Sequence, residues 1–239
     1  MSAIERNPST DAASQIAETL HLLQAHVALQ RRVVRAGHRL FQPGDTFARL
    51  HVLNSGLFKV TNGSNDGREQ VVAVKFKGDW LGFDAIALGR HSCEAVALDT
   101  GELWSFRYDD LLDAGARQPK LISLLHAAMS RELGRDRDTM LAMATLPADA
   151  RVADFLRYWT DMLAERGLRN DCITLHLTRA EIGNYLGMTL ESVSRAFSRL
   201  ARESVIRFPE KGRRDIEILG NGALRKFIHH HTASVAMAH

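Results

Sequence analysis

Two short helical patterns joined by a glycine, between residues 178 and 200, constrain the chain more than any other feature. Thr178-Arg-Ala-Glu181 is a capping box: the threonine hydroxyl can accept from the Glu181 N–H while the glutamate reaches back to the cap. The helix it opens is expected to end near Leu186, where Gly187 allows a tight turn and Thr189 can cap a second helix. Helix, glycine turn and helix in this order predict a helix-turn-helix. In the second helix, Leu190, Val193, Phe197 and Leu200 recur at spacings of three and four, which predicts one buried face. Glu191, Ser194, Arg195 and Ser198 keep the same rhythm on a polar face.

That polar face has the chemistry to read base edges. A guanidinium fork such as Arg195 matches the O6 and N7 acceptors of guanine. A carboxylate such as Glu191 accepts from the cytosine amino group, and Ser194 can bond or touch a base edge. The candidate DNA-contacting set is therefore Glu191, Ser194 and Arg195, with Thr178, Thr189, Ser192, Ser198 and Arg199 around them. Arg199, Arg202 and Arg207 are read as phosphate neutralisers. Apolar stretches at 205–208 and 215–219 flank Glu210-Lys-Gly-Arg-Arg214, the pattern of a wing with a basic tip. The expected partner is double-stranded DNA. The formal net charge of +3 permits such a partner without demanding one.

Upstream, residues 1–14 are polar and expected to be disordered, and 16–29 read as a short amphipathic helix. Residues 32–112 alternate short apolar runs with turn signals such as Pro43-Gly44-Asp45, Asn65-Asp66-Gly67 and Lys77-Gly78-Asp79. Such short, evenly spaced strands predict a barrel or jelly roll. A helix is expected over 119–144, with a seam of Ile122, His126, Met129, Leu133, Asp136, Met140 and Met143 suited to a partner helix. In a parallel homodimer Asp136 would face its own copy and weaken the pairing. After the break at Leu146-Pro147 come a helix over 149–166 and a short strand over 173–177. The fold class is α+β: an N-terminal tail and helix (1–30), a β-roll (31–115), a dimerisation helix (116–146), a winged helix-turn-helix domain (147–232) and a tail (233–239). His229, His230 and His231 are read as solvated tail residues.

Other classes find little support. Cys93 and Cys172 lie far apart in no metal-ligand spacing, so neither a metal site nor a disulfide framework is expected. No apolar run approaches the about 18 residues of a membrane span, and residues 1–14 hold no apolar signal core. The expected compartment is the cytoplasm, with no membrane partner. No nucleophile–base signature, phosphate loop or H-E-x-x-H appears, and no enzymatic activity is expected.

Residues 178–195, read as Thr178-Arg-Ala-Glu-Ile-Gly-Asn-Tyr-Leu-Gly-Met-Thr-Leu-Glu-Ser-Val-Ser-Arg195, resemble the DNA-binding element of CRP/FNR regulators. The E-x-x-S-R of Glu191, Ser194 and Arg195 is similar to the FNR branch. Gly78-Asp-Trp-Leu-Gly-Phe-Asp-Ala85 looks like its β-roll turn, and residues 133–140, with Asp136, look like its dimer helix. The resemblance runs from about Arg35 to Ile218. It implies a cyclic-nucleotide-binding-like β-roll, a homodimer, TTGAT sites with an inverted ATCAA, and contact with RNA polymerase, one contact region falling at residues 65–68.

The input end departs from the family. The FNR iron–sulfur cluster needs four cysteines, three N-terminal and one in the β-roll; residues 1–92 hold none, and Trp104 stands at the β-roll position by ungapped comparison. Phe83 stands where cAMP-binding relatives carry a ribose-binding glutamate, and Cys93 and Glu94 stand at their phosphate-binding Arg-Ser. A carboxylate there repels phosphate, although Arg90 is nearby. No cofactor is expected. Haem through His38, His91 or Cys93 stays open, and the alternative is a regulator with a cyclic nucleotide or haem in the β-roll.

Overall fold

The computed structural model describes residues 8–63, 69–209, 214–220 and 222–236. Contacts divide the chain into a unit over Asp11–Gly134 and a second made chiefly of Arg135–His239. Elements of the first are helix α1 (Pro8–His26), strands β1 (Gln30–Val34), β2 (Arg39–Phe41), β3 (Arg49–Leu53), β4 (Phe58–Gly63), β5 (Glu69–Lys75), β6 (Trp80–Leu81), β7 (Cys93–Ala97) and β8 (Gly101–Arg107), then α2 (Tyr108–Arg117) and α3 (Pro119–Thr145). The second unit takes up α3 from Arg135. It continues with α4 (Ala148–Glu165), β9 (Cys172–Thr174), α5 (Arg179–Leu186), α6 (Leu190–Arg202), β10 (Ile206–Arg207), β11 (Asp215–Ile218) and α7 (Ala223–Ala236).

The first unit is a β-roll of two antiparallel four-stranded sheets, ordered β1-β8-β3-β6 and β2-β7-β4-β5. Strand alternation serves both faces of the first sheet. Leu53, Leu81 and Leu103 turn inward to meet Phe58 and Val60 of the second sheet. Val52, Trp80, Trp104 and Phe106 turn outward and are covered by α1, α2 and the start of α3. β3 and β8 are buried on both sides, with burial running from Leu50 to Leu53 and from Leu103 to Phe106. α3 presents Leu121, Leu125 and Ala128 to this core.

Several boundaries differ from expectation. α1 begins at Pro8, so residues 8–14 are helical rather than disordered; α1 is anchored by Leu20, Leu23 and Val27 on the outer sheet face. α2 has no counterpart among the expected elements and crosses the 115/116 boundary; it is short, and its buried stripe of Leu111, Ala114 and Gly115 relies on small residues. The C-terminal histidines lie in α7, not in a loose tail, and α7 continues past 232. Leu224 and Phe227 bury there, His231 stacks on Phe227 at 4.0 Å, and its Nδ1–H donates to the Phe227 carbonyl at 3.0 Å. The expected strand over 173–177 is β9, three residues long. Asn65–Gly67 and the candidate polymerase contact at 65–68 lie outside the described residues.

Candidate nucleic-acid interface

In the second unit, α5 and α6 are set by local rules. The Thr178 hydroxyl accepts from the Glu181 N–H at 3.2 Å, and the Glu181 carboxylate accepts from the Thr178 N–H at 2.8 Å, closing the capping box. Gly187 ends α5 in the left-handed region at φ 62, which a side chain rarely adopts. Gly183 matters for space instead. A Cβ there would meet the Met188 carbonyl oxygen at 2.7 Å, so its absence lets the turn fold close against α5. Thr189 caps α6 by accepting from the Ser192 N–H at 3.2 Å.

α6 buries Val193, Ala196, Phe197 and Leu200. Leu190, expected on that face, is exposed. It is the first helical residue, one turn short of the core, and Ala196 completes the stripe instead. Glu191, Arg195, Ser198, Arg199 and Arg202 are exposed, with Ser192 and Ser194 half-buried beside them. Thr178 and Thr189 act in the structure as helix caps. The Glu191 carboxylate is held below its usual range, first by its own backbone N–H and then by the Thr189 hydroxyl and the Arg195 charge. It is therefore an acceptor at neutral pH.

The cations differ in what holds them. Arg195 Nη2 donates to Ser192 Oγ at 2.9 Å, and that oxygen also accepts from the Thr189 hydroxyl at 3.1 Å. Arg199 Nη1 donates to Asp149 Oδ2 at 2.5 Å. Arg202 has no partner among the described residues. Arg207 is engaged across the wing, where Nε and Nη2 donate to Glu217 Oε2 at 2.9 and 2.5 Å. Arg195, Arg199 and Arg202 line an open cleft of about 540 Å³ with Asp149, Ser194 and Ser198. The Arg179 guanidinium lies 3.3 Å from the centroid of the Phe197 ring, on the core side of α6. Sequence reasoning missed Asp149 and Arg179, because their partners are distant in the chain; the wing tip at 210–213 lies outside the described residues.

On α3, the expected seam is split: its early members Ile122 and Met129 pack against the first unit, Met129 on the β-roll core. Ile122, Met129 and Met143 are half-buried, whereas His126, Leu133, Asp136 and Met140 are exposed, Met140 by 70%. Ile122 fits over Gly115, where a Cβ would meet its Cδ1 at 2.4 Å.

Inside the β-roll, several polar groups satisfy one another, while His38 Nε2 and Trp80 Nε1 are buried without a hydrogen-bond partner among the described residues. His51 Nδ1 lies 2.7 Å from Ser105 Oγ; burial, and then the neighbouring His91, lower its pKa to about 3. His91 stacks on Phe41 at 3.8 Å and meets Asp84 Oδ1 at 3.3 Å. Burial and then Asp84 push the Cys93 thiol up, so it is protonated. Lys75, buried, pairs with Glu132 of α3 at 2.5 Å. Glu94 pairs with Arg39, and Phe83 stacks on Trp80 at 5.8 Å. Trp104 donates its indole N–H to Glu102 at 2.8 Å beneath the Arg31 guanidinium. His38 is half-buried.

Comparison with known proteins places both units. Residues 31–118 match the cyclic nucleotide-binding domain family and 150–227 the Crp-like helix-turn-helix domain. The chain is 32% identical over 207 residues to the fumarate and nitrate reduction regulatory protein of Escherichia coli K12, covering 87% of this chain and 81% of that one. It is 32% identical over 177 residues to the protein of that name from Vibrio cholerae, covering 74% and 71%. The solved structure of FixK2 from Bradyrhizobium japonicum matches with a TM-score of 0.73 at 25% identity, over 84% of this chain and 97% of that one.

Proposed function

The chain belongs to the CRP/FNR superfamily of DNA-binding transcription regulators, and on that footing we propose that it reads TTGAT-like half-sites with an inverted ATCAA as a homodimer. One α6 enters each major groove, with half-sites about one helical turn apart. The observation that carries the reading is the outward face of α6. A carboxylate acceptor at Glu191, two serines and the Arg195 fork stand together on a helix fixed by two caps and a buried stripe. The exposed Leu133 and Met140 on α3 support pairing of two copies, and Asp136 limits its strength. RNA polymerase is the proposed second protein partner, and the cytoplasm, beside the DNA, the proposed location.

The input side of the reading is a β-roll that works without a bound group. Thiolate ligation of a cluster is disfavoured, because the roll offers Trp104 and a protonated Cys93. Cyclic nucleotide binding is disfavoured by Phe83 in an aromatic stack and by the Glu94 carboxylate. Among the candidate haem ligands, His91 is held by Phe41 and Asp84. The relatives are transcription regulators, and the proposed role includes no catalysis.

Titration of the full chain against a TTGAT-containing palindrome, with and without saturating cAMP, tests both halves. Arg195→Ala is expected to lose about 1–3 kcal/mol of preference for the guanine per half-site while keeping salt-sensitive binding to any duplex. Equal loss on matched and mismatched duplexes would remove Arg195 as a base reader. A large response to cAMP would overturn the ligand-free β-roll.

A further inference from the structure

Among the described residues, Arg199 is the one arginine of the α6 cleft that forms an ion pair. Asp149 comes from the first turn of α4, 50 residues earlier, and accepts from Arg199 Nη1 at 2.5 Å. The pair is not sequestered: the Arg199 side chain is 44% exposed and that of Asp149 22%. Both line the same cleft as Arg195 and Arg202. A carboxylate on this surface is costly for a protein that binds a polyanion, since it neutralises one cation and repels phosphate.

We propose that Asp149 is an affinity-limiting residue: it keeps Arg199 from acting as a full phosphate contact and so restrains binding to DNA of any sequence. This rests on the DNA-binding reading given above. Phosphate contacts raise affinity for every sequence alike, because each displaces counterions without reading a base. Base contacts by Glu191, Ser194 and Arg195 raise it only for the matched site. Withholding one phosphate contact per subunit therefore lowers affinity for matched and random DNA by a similar factor and leaves their ratio to the base contacts. The Ser192 hydroxyl that holds Arg195 does not act this way, since it is neutral and surrenders the arginine to a base without leaving a charge behind.

The dependence of binding on salt distinguishes this role from a structural one. On a matched and a random duplex, Asp149→Asn is expected to steepen the slope of log K against log salt by about 0.9 per subunit. For two subunits that is roughly tenfold more loss of affinity between 50 and 200 mM salt. At low salt, binding tightens on both duplexes by a similar factor. Asp149→Ser, which puts a neutral hydroxyl in place of the carboxylate, is expected to behave the same way. In an Arg199→Gln background, Asp149→Asn is expected to leave the slope unchanged. An unchanged slope in both single variants, or the same change with and without Arg199, would overturn the proposal. Failure of the DNA-binding reading looks different: the unaltered chain would then show no preference for the matched duplex.

Discussion

The β-roll unit and the winged unit place their ionisable side chains in opposite ways. In the β-roll, His51, His91, Lys75 and Asp79 are buried and engaged, with Lys75 tied to Glu132 and His51 to Ser105. In the winged unit, Glu191, Arg195, Arg199 and Arg202 stand outward on α6, over a core built mainly on apolar residues such as Phe155, Trp159 and Phe197, with Arg166 buried and bonded to the Met162 carbonyl. The same residue types therefore have different consequences. Inward charges fix the fold of the β-roll, and their loss reads out as stability. Outward charges leave the fold of the winged unit alone, and their loss reads out as affinity or selectivity for DNA.

This contrast is tested hardest at the Lys75–Glu132 pair. Glu132→Ala leaves a lysine ammonium of 6% exposure without its carboxylate. Removing one member of a buried pair typically costs on the order of 3 kcal/mol or more. Calorimetric melting at fixed protein concentration is expected to show the β-roll transition lowered by several degrees. Glu132→Gln, which keeps an acceptor, should lie between the two. The ratio of matched to random DNA binding is expected to stay unchanged where the chain is folded. A selectivity change with an unaltered melt would undo the contrast, since an inward charge would then be acting on the output.

Acid titration gives the next largest effect. The unfolded chain takes up a proton on His51 near pH 6.5, while the folded β-roll resists it down to about pH 3. Above pH 6.5 both states are neutral at this site and its contribution is flat. Below it only the unfolded state gains the proton, so stability falls as pH falls, by about 1.4 kcal/mol per unit. By pH 5 the loss from this residue is about 2 kcal/mol. His51→Gln removes the titrating group, and its melting temperature should depend less on pH between 6.5 and 4 than that of the unaltered chain. Identical pH profiles would show that His51 is accessible to protons in the folded state.

The two units also differ in how much of them is legible in sequence. The capping box, the Gly187 turn and the Thr189 cap rest on relations three or four residues apart, so the helix-turn-helix is readable from a single stretch. The β-roll is readable only as a class. Its strands alternate with turns, yet the pairing of Gln30 with Ser105 depends on closure of a long loop that no local pattern marks. Even in α6 the local rule has an edge: Leu190 fits the apolar spacing but lies in the first turn, before the helix reaches the core. The Asp149–Arg199 contact is illegible for the same reason as the strand pairing, being tertiary.

The smallest expected effect ranks the outward charges among themselves. Arg202 has no partner among the described residues, whereas Arg207 is bound through two nitrogens to Glu217. If an arginine contributes to phosphate binding according to its freedom, Arg202→Ala should reduce the salt slope by close to 0.9 per subunit and Arg207→Ala by clearly less. Neither should move the melting temperature by more than the small amount expected of a surface residue. Arg207→Ala would unpair Glu217 on β11, which repels phosphate, so affinity is expected to fall slightly on every duplex without a matching change in slope. Equal slopes for the two variants would mean that the Arg207–Glu217 pair opens on DNA, and that pairing in the free protein does not rank these cations.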